Sequence, residues 1–185
     1  MKHALIVNFA GVPGAGKSTA AAYIFSQLKM RGVNAELIDE FAKGKVWERN
    51  QKVFENQAYL FGKQSFKLSR CADEVDVIIT DSPLFLSILY NNDFRLTENF
   101  NKCVMDVYNS YENITYLVNR VKPYNPKGRH QTESESDALS EPIKNLLKER
   151  EIEYKEINGD LIGYNIVVGE VIKLLKERGV KVNEM

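Results

Sequence analysis

The chain of 185 residues has only 2 cysteines, 2 histidines and 1 tryptophan, and its 25 Lys and Arg cancel its 25 Asp and Glu. Each shortage excludes something. Cys71 and Cys103 stand far apart with no histidine pair nearby, so neither a zinc site nor a disulfide framework is expected, and reduced thiols are the simplest reading. Zero net charge removes the broad positive field of a constitutive nucleic-acid coat protein, although a local basic patch remains compatible with it. No apolar run approaches the roughly 18 to 20 residues that span a bilayer, so no membrane partner and a soluble, cytoplasmic protein are expected. Met1-Lys2-His3 before the apolar Ala4 to Phe9 superficially resembles a short signal peptide, but no convincing small-residue cleavage site follows. We find no repeat, low-complexity tract or linker, and expect a single domain over 1–185.

What is present alternates between strand and helix patterns. Ala4 to Phe9 reads as a buried strand, followed by a glycine-rich turn and a helix carrying Ala21, Ile24, Phe25 and Leu28 that stops at Gly32. Ala35 to Ile38 is a second strand, Phe41 to Gln51 irregular or weakly helical, and Lys52 to Ala72 one long helix. Val75 to Thr80 suits a strand covered on both faces. Helices over Leu84 to Tyr90 and Glu98 to Tyr111 precede a fourth strand, Ile114 to Val118. The polar stretch Asn119 to Gln131, with Pro123, Pro126 and Gly128, is a lid-loop candidate over about 120–131. Helical signals return at Thr132; Ser140 is expected to cap a helix with Pro142 in its first turn, followed by a fifth strand, Tyr154 to Ile157, and a last helix from about Tyr164 to Arg178. A tail from Gly179 is expected to fray. This alternation predicts an α/β domain with a five-stranded, mainly parallel sheet flanked by helices.

Gly11-Val12-Pro13-Gly14-Ala15-Gly16-Lys17-Ser18 matches G-x-x-x-x-G-K-[ST] between a strand and a helix, the context that gives the motif its meaning. Glycines let successive N–H groups turn toward a polyphosphate and the helix N-terminus adds positive potential. Lys17 reaches the outer phosphates, Ser18 can ligate Mg²⁺, and Thr19 is a second hydroxyl. A P-loop NTPase fold follows, and the motif by itself does not choose between a kinase, an ATPase and a GTPase. An N-K-x-D base-reading element is missing, which argues against a GTPase.

Asp81 ends the third strand, where a Walker B acid would orient Mg²⁺ with Ser18 or stand near the acceptor hydroxyl as its base; the bland alternative is a helix cap through Ser82-Pro83. Asp39 and Glu40 follow the second strand, and one of them is placed to take the proton of an attacking hydroxyl, the alternative being an exposed acidic turn. Arg120 and Arg129 bracket the polar loop and can supply charge to a moving phosphoryl group. Gln57 and Gln64 share a helical face and can read an acceptor or simply bond backbone. Tyr59 and Arg70 are weaker candidates, and Phe41 and Trp47 suit either base stacking or a core. His130 lies beside Arg129.

Gly11 to Ser18, Glu40-Phe41-Ala42-Lys43, the Gln57 to Gln64 helix, Ile78 to Ser82, and Tyr124 with Gly128-Arg129-His130-Gln131 together resemble the P-loop kinases that include the ribosylnicotinamide kinase domain and bacteriophage kinases of 5-hydroxymethyluracil in DNA. The resemblance implies a kinase fold with a closing lid, ATP with Mg²⁺ as cofactors, Glu40 as acceptor base and Arg129 as lid arginine. Lys43 stands where that family has an arginine, and a Trp-rich stretch typical of the nicotinamide riboside enzymes is missing. Three activities remain open. The first is a kinase acting on a nucleoside-type hydroxyl, best guess hydroxymethyluracil in phage DNA, which implies DNA as partner and the host cytoplasm as location. The second is a kinase of a free nucleoside, nucleotide or ribosylnicotinamide, and the third a P-loop ATPase acting as a regulatory switch. Oligomeric state is not legible.

Overall fold

A computed structural model describes residues 3–48, 51–127 and 132–184, without the side chains of Trp47 and Gln51. Five strands form one sheet: β1 (Leu5–Ala10), β2 (Ala35–Ile38), β3 (Val77–Thr80), β4 (Glu112–Asn119) and β5 (Lys155–Asn158), in the order β2-β3-β1-β4-β5. All four pairings are parallel. The expected sheet is therefore present, with strand ends shifted by one or two residues.

Alternation along the central strand explains the layers. Leu5, Val7 and Phe9 of β1 enter a core with Ile24 and Leu28 of α1 (Lys17–Met30) and Val167, Val171 and Leu175 of α8 (Leu161–Glu177). Ile6 faces the other way, onto Phe61 and Leu68 of α3 (Gln57–Ser69) and Val104 of α5 (Glu98–Asn109). Ala10 meets Leu86 of α4 (Leu86–Leu89) and Ile143 and Leu147 of α7 (Ser140–Glu149). A strand covered on both faces must be apolar at every position, which β1 and β3 are apart from Asn8 and Thr80. Asn8 meets the polar-burial cost by donating to Asn113 Oδ1 at 2.9 Å.

Three sequence expectations are corrected. The helix drawn over 52–72 is two pieces, a 3₁₀ turn at Gln51–Glu55 and then α3, because the Asn56 side chain accepts from Tyr59 N–H at 3.0 Å and starts a fresh helix. Ser140 is the first helical residue of α7 and Leu139 occupies the cap, so Pro142 sits in the first turn without the expected serine cap. The segment 179–184 lies against the body: Val180 and Val182 pack on the α1/α8 core, and Asn183 N–H donates to Arg31 O at 3.0 Å. α2 (Phe41–Trp47) takes up the weakly helical stretch, and α6 (Glu133–Asp137) opens with a capping box between Thr132 and Glu135. At the outer rim, Arg150 donates to both oxygens of Glu98, at 2.6 and 3.2 Å, holding that carboxyl down to about 2 and tying α7 to α5.

Candidate active site

The carboxyl ends of β2, β3 and β1 lie side by side, because Ile38 and Asn8 both pair with Thr80. The residues that follow these strands must therefore converge. After β1 comes the loop Gly11 to Gly16, after β3 comes Asp81, and after β2 come Asp39 and Glu40. This is the sheet edge at which open α/β folds bind ligands.

Gly16 caps α1 at φ 106°, and a Cβ there would lie 2.6 Å from the Tyr164 hydroxyl, so only glycine fits. No side chain caps this helix, which leaves its N-terminus open to an external anion. Lys17 Nζ folds back over the loop and donates to the carbonyls of Gly11 at 2.8 Å and Val12 at 3.1 Å. Ser18 and Thr19 lie exposed in the first turn of α1.

Asp81 is buried and uses both oxygens: Ser18 Oγ donates to Oδ2, and Glu40 N–H donates to Oδ1 at 3.1 Å. Its carboxylate thus joins the loop serine to the start of α2 instead of capping the next turn, where Thr80 Oγ1 accepts from Ser82 N–H at 3.1 Å. Ser18, Glu40, Lys43 and Asp81 line a cleft of about 310 Å³. Desolvation pushes the Glu40 carboxyl above the ordinary glutamate value; Lys17 and Lys43 pull it down, while Asp81 and Asp39 add to the rise. Burial, with the Glu40 charge adding, pushes the neighbouring Tyr90 phenol up to about 12. Asp39 also borders the cleft but turns outward and pairs with Lys67.

Arg120 is brought to the far flank of the loop. Its guanidinium pairs with Asp137, lies 3.7 Å from Glu133 and stacks 5.2 Å above the Tyr124 ring, which itself borders Gly14. The charge expected for a phosphoryl group is here shared with two carboxylates. Arg129, Gly128, His130 and Gln131 lie outside the described residues. Gln64 bonds backbone: its Oε1 accepts from Phe41 N–H at 2.9 Å and its Nε2 donates to Asp39 O at 3.3 Å. Gln57 is buried in α3, Tyr59 is exposed and packs on Phe41, and Arg70 is exposed; none of the three lines the cleft.

Several supports had no legible motif. Gly159 packs so tightly that a Cβ would overlap the Ala15 carbonyl oxygen. Tyr164 Oη donates to Gly16 O at 3.2 Å, and Ser136 Oγ donates to Pro13 O at 2.8 Å. These contacts cross more than 120 residues of sequence, so no local spacing announces them.

A family model described as an AAA domain matches residues 6–162. The chain belongs to that family. No curated protein matches it. The thymidylate kinase from Ehrlichia chaffeensis has a similar structure, with a TM-score of 0.59 at 16% identity over 94% of this chain and 99% of that one. The likeness establishes a P-loop kinase-like fold for this AAA domain chain. Among the described residues no helix is long and apolar enough to cross a membrane.

The donor set of this AAA domain fits the groups its loop implies. Ser18 and Asp81 offer oxygen ligands, which suit Mg²⁺, and among the described residues no three His, Cys, Asp or Glu side chains gather into a cage. A cation here would rest on those two residues with phosphate and water, the usual habit of Mg²⁺.

Proposed function

We propose that the protein is an ATP-dependent kinase that phosphorylates a hydroxyl of a nucleoside-type acceptor. The observation that carries this reading is the chain Ser18–Asp81–Glu40: one buried aspartate accepts from the loop serine and from the backbone N–H of Glu40, whose own carboxylate, of raised pKa, lines the same cleft. ATP supplies the phosphoryl group, and Mg²⁺ bound by Ser18 and Asp81 would neutralise charge developing on it.

The remaining chemistry belongs to the side chains. Lys17 swings from the Gly11 and Val12 carbonyls to the outer phosphates. Glu40 accepts the proton of the acceptor hydroxyl as its oxygen bonds to phosphorus and the bond from that phosphorus to the ADP oxygen breaks. A raised pKa makes Glu40 a better base than an ordinary surface glutamate, so long as it remains ionised. Asp39 is committed to Lys67, and Glu40 is therefore our choice of base. Arg120 supplies charge from the flank of the phosphate loop, and the family resemblance implies Arg129 as the lid arginine.

For the acceptor we favour 5-hydroxymethyluracil within phage DNA, supported by the resemblance of Glu40 to Lys43, Ile78 to Ser82 and the Tyr124 segment to the phage kinases. A free nucleotide is the second reading, favoured by the fold shared with a thymidylate kinase. A switch ATPase is weakened by Ser82, which stands where such proteins place a catalytic glutamate beside the Walker B acid.

Transfer from γ-labelled ATP separates these activities. Hydroxymethyluracil-containing DNA is expected to take label, with ordinary DNA and a nucleoside and mononucleotide mixture unlabelled, and Lys17→Ala is expected to lower transfer at least about a hundredfold. Label entering only the small molecules overturns the DNA acceptor.

A further inference from the structure

We infer that the outer faces of α2 and α3 form a docking strip for a single strand of nucleic acid, running up to the Glu40 cleft. Charge within the neutral chain is segregated: residues 41–70 contain seven basic and two acidic side chains. Aromatic rings are interleaved with that charge. The Lys45 ammonium lies 5.3 Å from the Phe41 ring centre, Phe41 meets Tyr59 edge to face at 5.8 Å, and Lys63 sits 5.5 Å from the Tyr59 ring centre.

One stripe of α3 carries Tyr59, Lys63, Phe66 and Arg70, at helical spacing. Tyr59 is 41% exposed and Phe66 64%, although α3 has a well-filled apolar face in Leu60, Phe61 and Leu68 to bury instead. Two turns separate the exposed rings, about 10 Å along the axis, with Lys63 between them. Lys45 and Lys67 already pair with Glu48 and Asp39, so Lys43, Lys63 and Arg70 carry the strip's charge.

Flat rings alternating with cations are what an extended strand requires: bases stack on the rings whatever their sequence, and the cations follow the phosphates. The strip is continuous with the cleft. Lys43 and Gly44 of α2 line that cleft, and Gln64 ties α3 to the backbone on either side of Glu40. Its purpose rests on the kinase reading, since a bound strand would feed an acceptor hydroxyl to Glu40, but strand binding does not.

The test is fluorescence anisotropy of a labelled oligothymidylate, without ATP, at low and moderate salt. Wild-type protein is expected to bind, more weakly as salt rises, and Tyr59→Ala and Phe66→Ala each to cost at least about fivefold. Lys63→Glu is expected to weaken binding and flatten the salt dependence. Phe94→Ala, which removes a ring 94% exposed in the turn before α5, is expected to bind like wild type. Circular dichroism checks that each variant is folded.

No strand binding by wild-type protein, or undiminished binding by the folded Tyr59 and Phe66 variants, overturns the proposal. So does capture by phosphatidylserine vesicles in place of the oligonucleotide. Failure of the kinase reading looks different: strand binding with these sensitivities persists, but no acceptor is labelled.

Discussion

On the proposed kinase reading, Glu40 combines two demands that pull against each other. Catalysis wants a carboxylate beside the acceptor, whereas burial next to Asp81 disfavours its charge. A carboxyl whose folded-state pKa is raised contributes its full stability below the ordinary glutamate value and loses it as pH climbs through the raised one. Glu40→Gln escapes that loss. The variant is predicted to melt above wild type at about pH 8, with the gap narrowing toward about pH 4, while phosphoryl transfer falls by roughly 10²- to 10⁴-fold. Thermal unfolding at both pH values and single-turnover transfer check the two halves; a variant that melts lower at alkaline pH contradicts the assignment. The strand pattern placed an acid after the second strand but left Asp39 and Glu40 equivalent, and only the family resemblance pointed to Glu40. They are separated by Lys67, a residue 28 positions away, which draws Asp39 outward.

At the scale of elements, legibility followed range. The strand, loop and helix around Lys17 announced themselves because a glycine signature and two periodicities are local properties. The division of the helix drawn from Lys52 depended on Asn56 acting as a cap, which a continuous apolar pattern conceals. The turn from β5 into α8 carried no signal at all, since Asn158-Gly159-Asp160 reads as any tight turn. In the folded molecule it is a buttress: Gly159 rests on Ala15, its N–H donates to Asn119 O at 2.9 Å, and Asp160 caps α8 through Gly163 N–H at 2.9 Å. Gly159→Ala must push the phosphate loop aside. It is predicted to cost about 3 kcal/mol of stability by denaturant unfolding, within the range seen for overpacked sites, and to weaken nucleotide binding measured by calorimetry. A variant with wild-type stability and nucleotide affinity contradicts the buttress.

For the whole molecule, family and fold show an AAA domain on a P-loop kinase-like frame, and neither names the acceptor. A P-loop, an acid after β3 and a parallel sheet are shared by kinases and hydrolases alike, and function lives in the groups grafted onto that frame. With Glu40 as the proposed base, the phosphoryl group goes to an alcohol or to water according to which nucleophile Glu40 meets. The most direct measurement is therefore the fate of the γ-phosphate in one turnover with hydroxymethyluracil DNA present, followed by labelled product and free phosphate together. Our account predicts that wild-type protein sends most label to the DNA, and that Glu40→Gln loses this transfer far more than it loses ATP binding. Quantitative release of free phosphate, unchanged by the DNA and insensitive to Glu40→Gln, would contradict it.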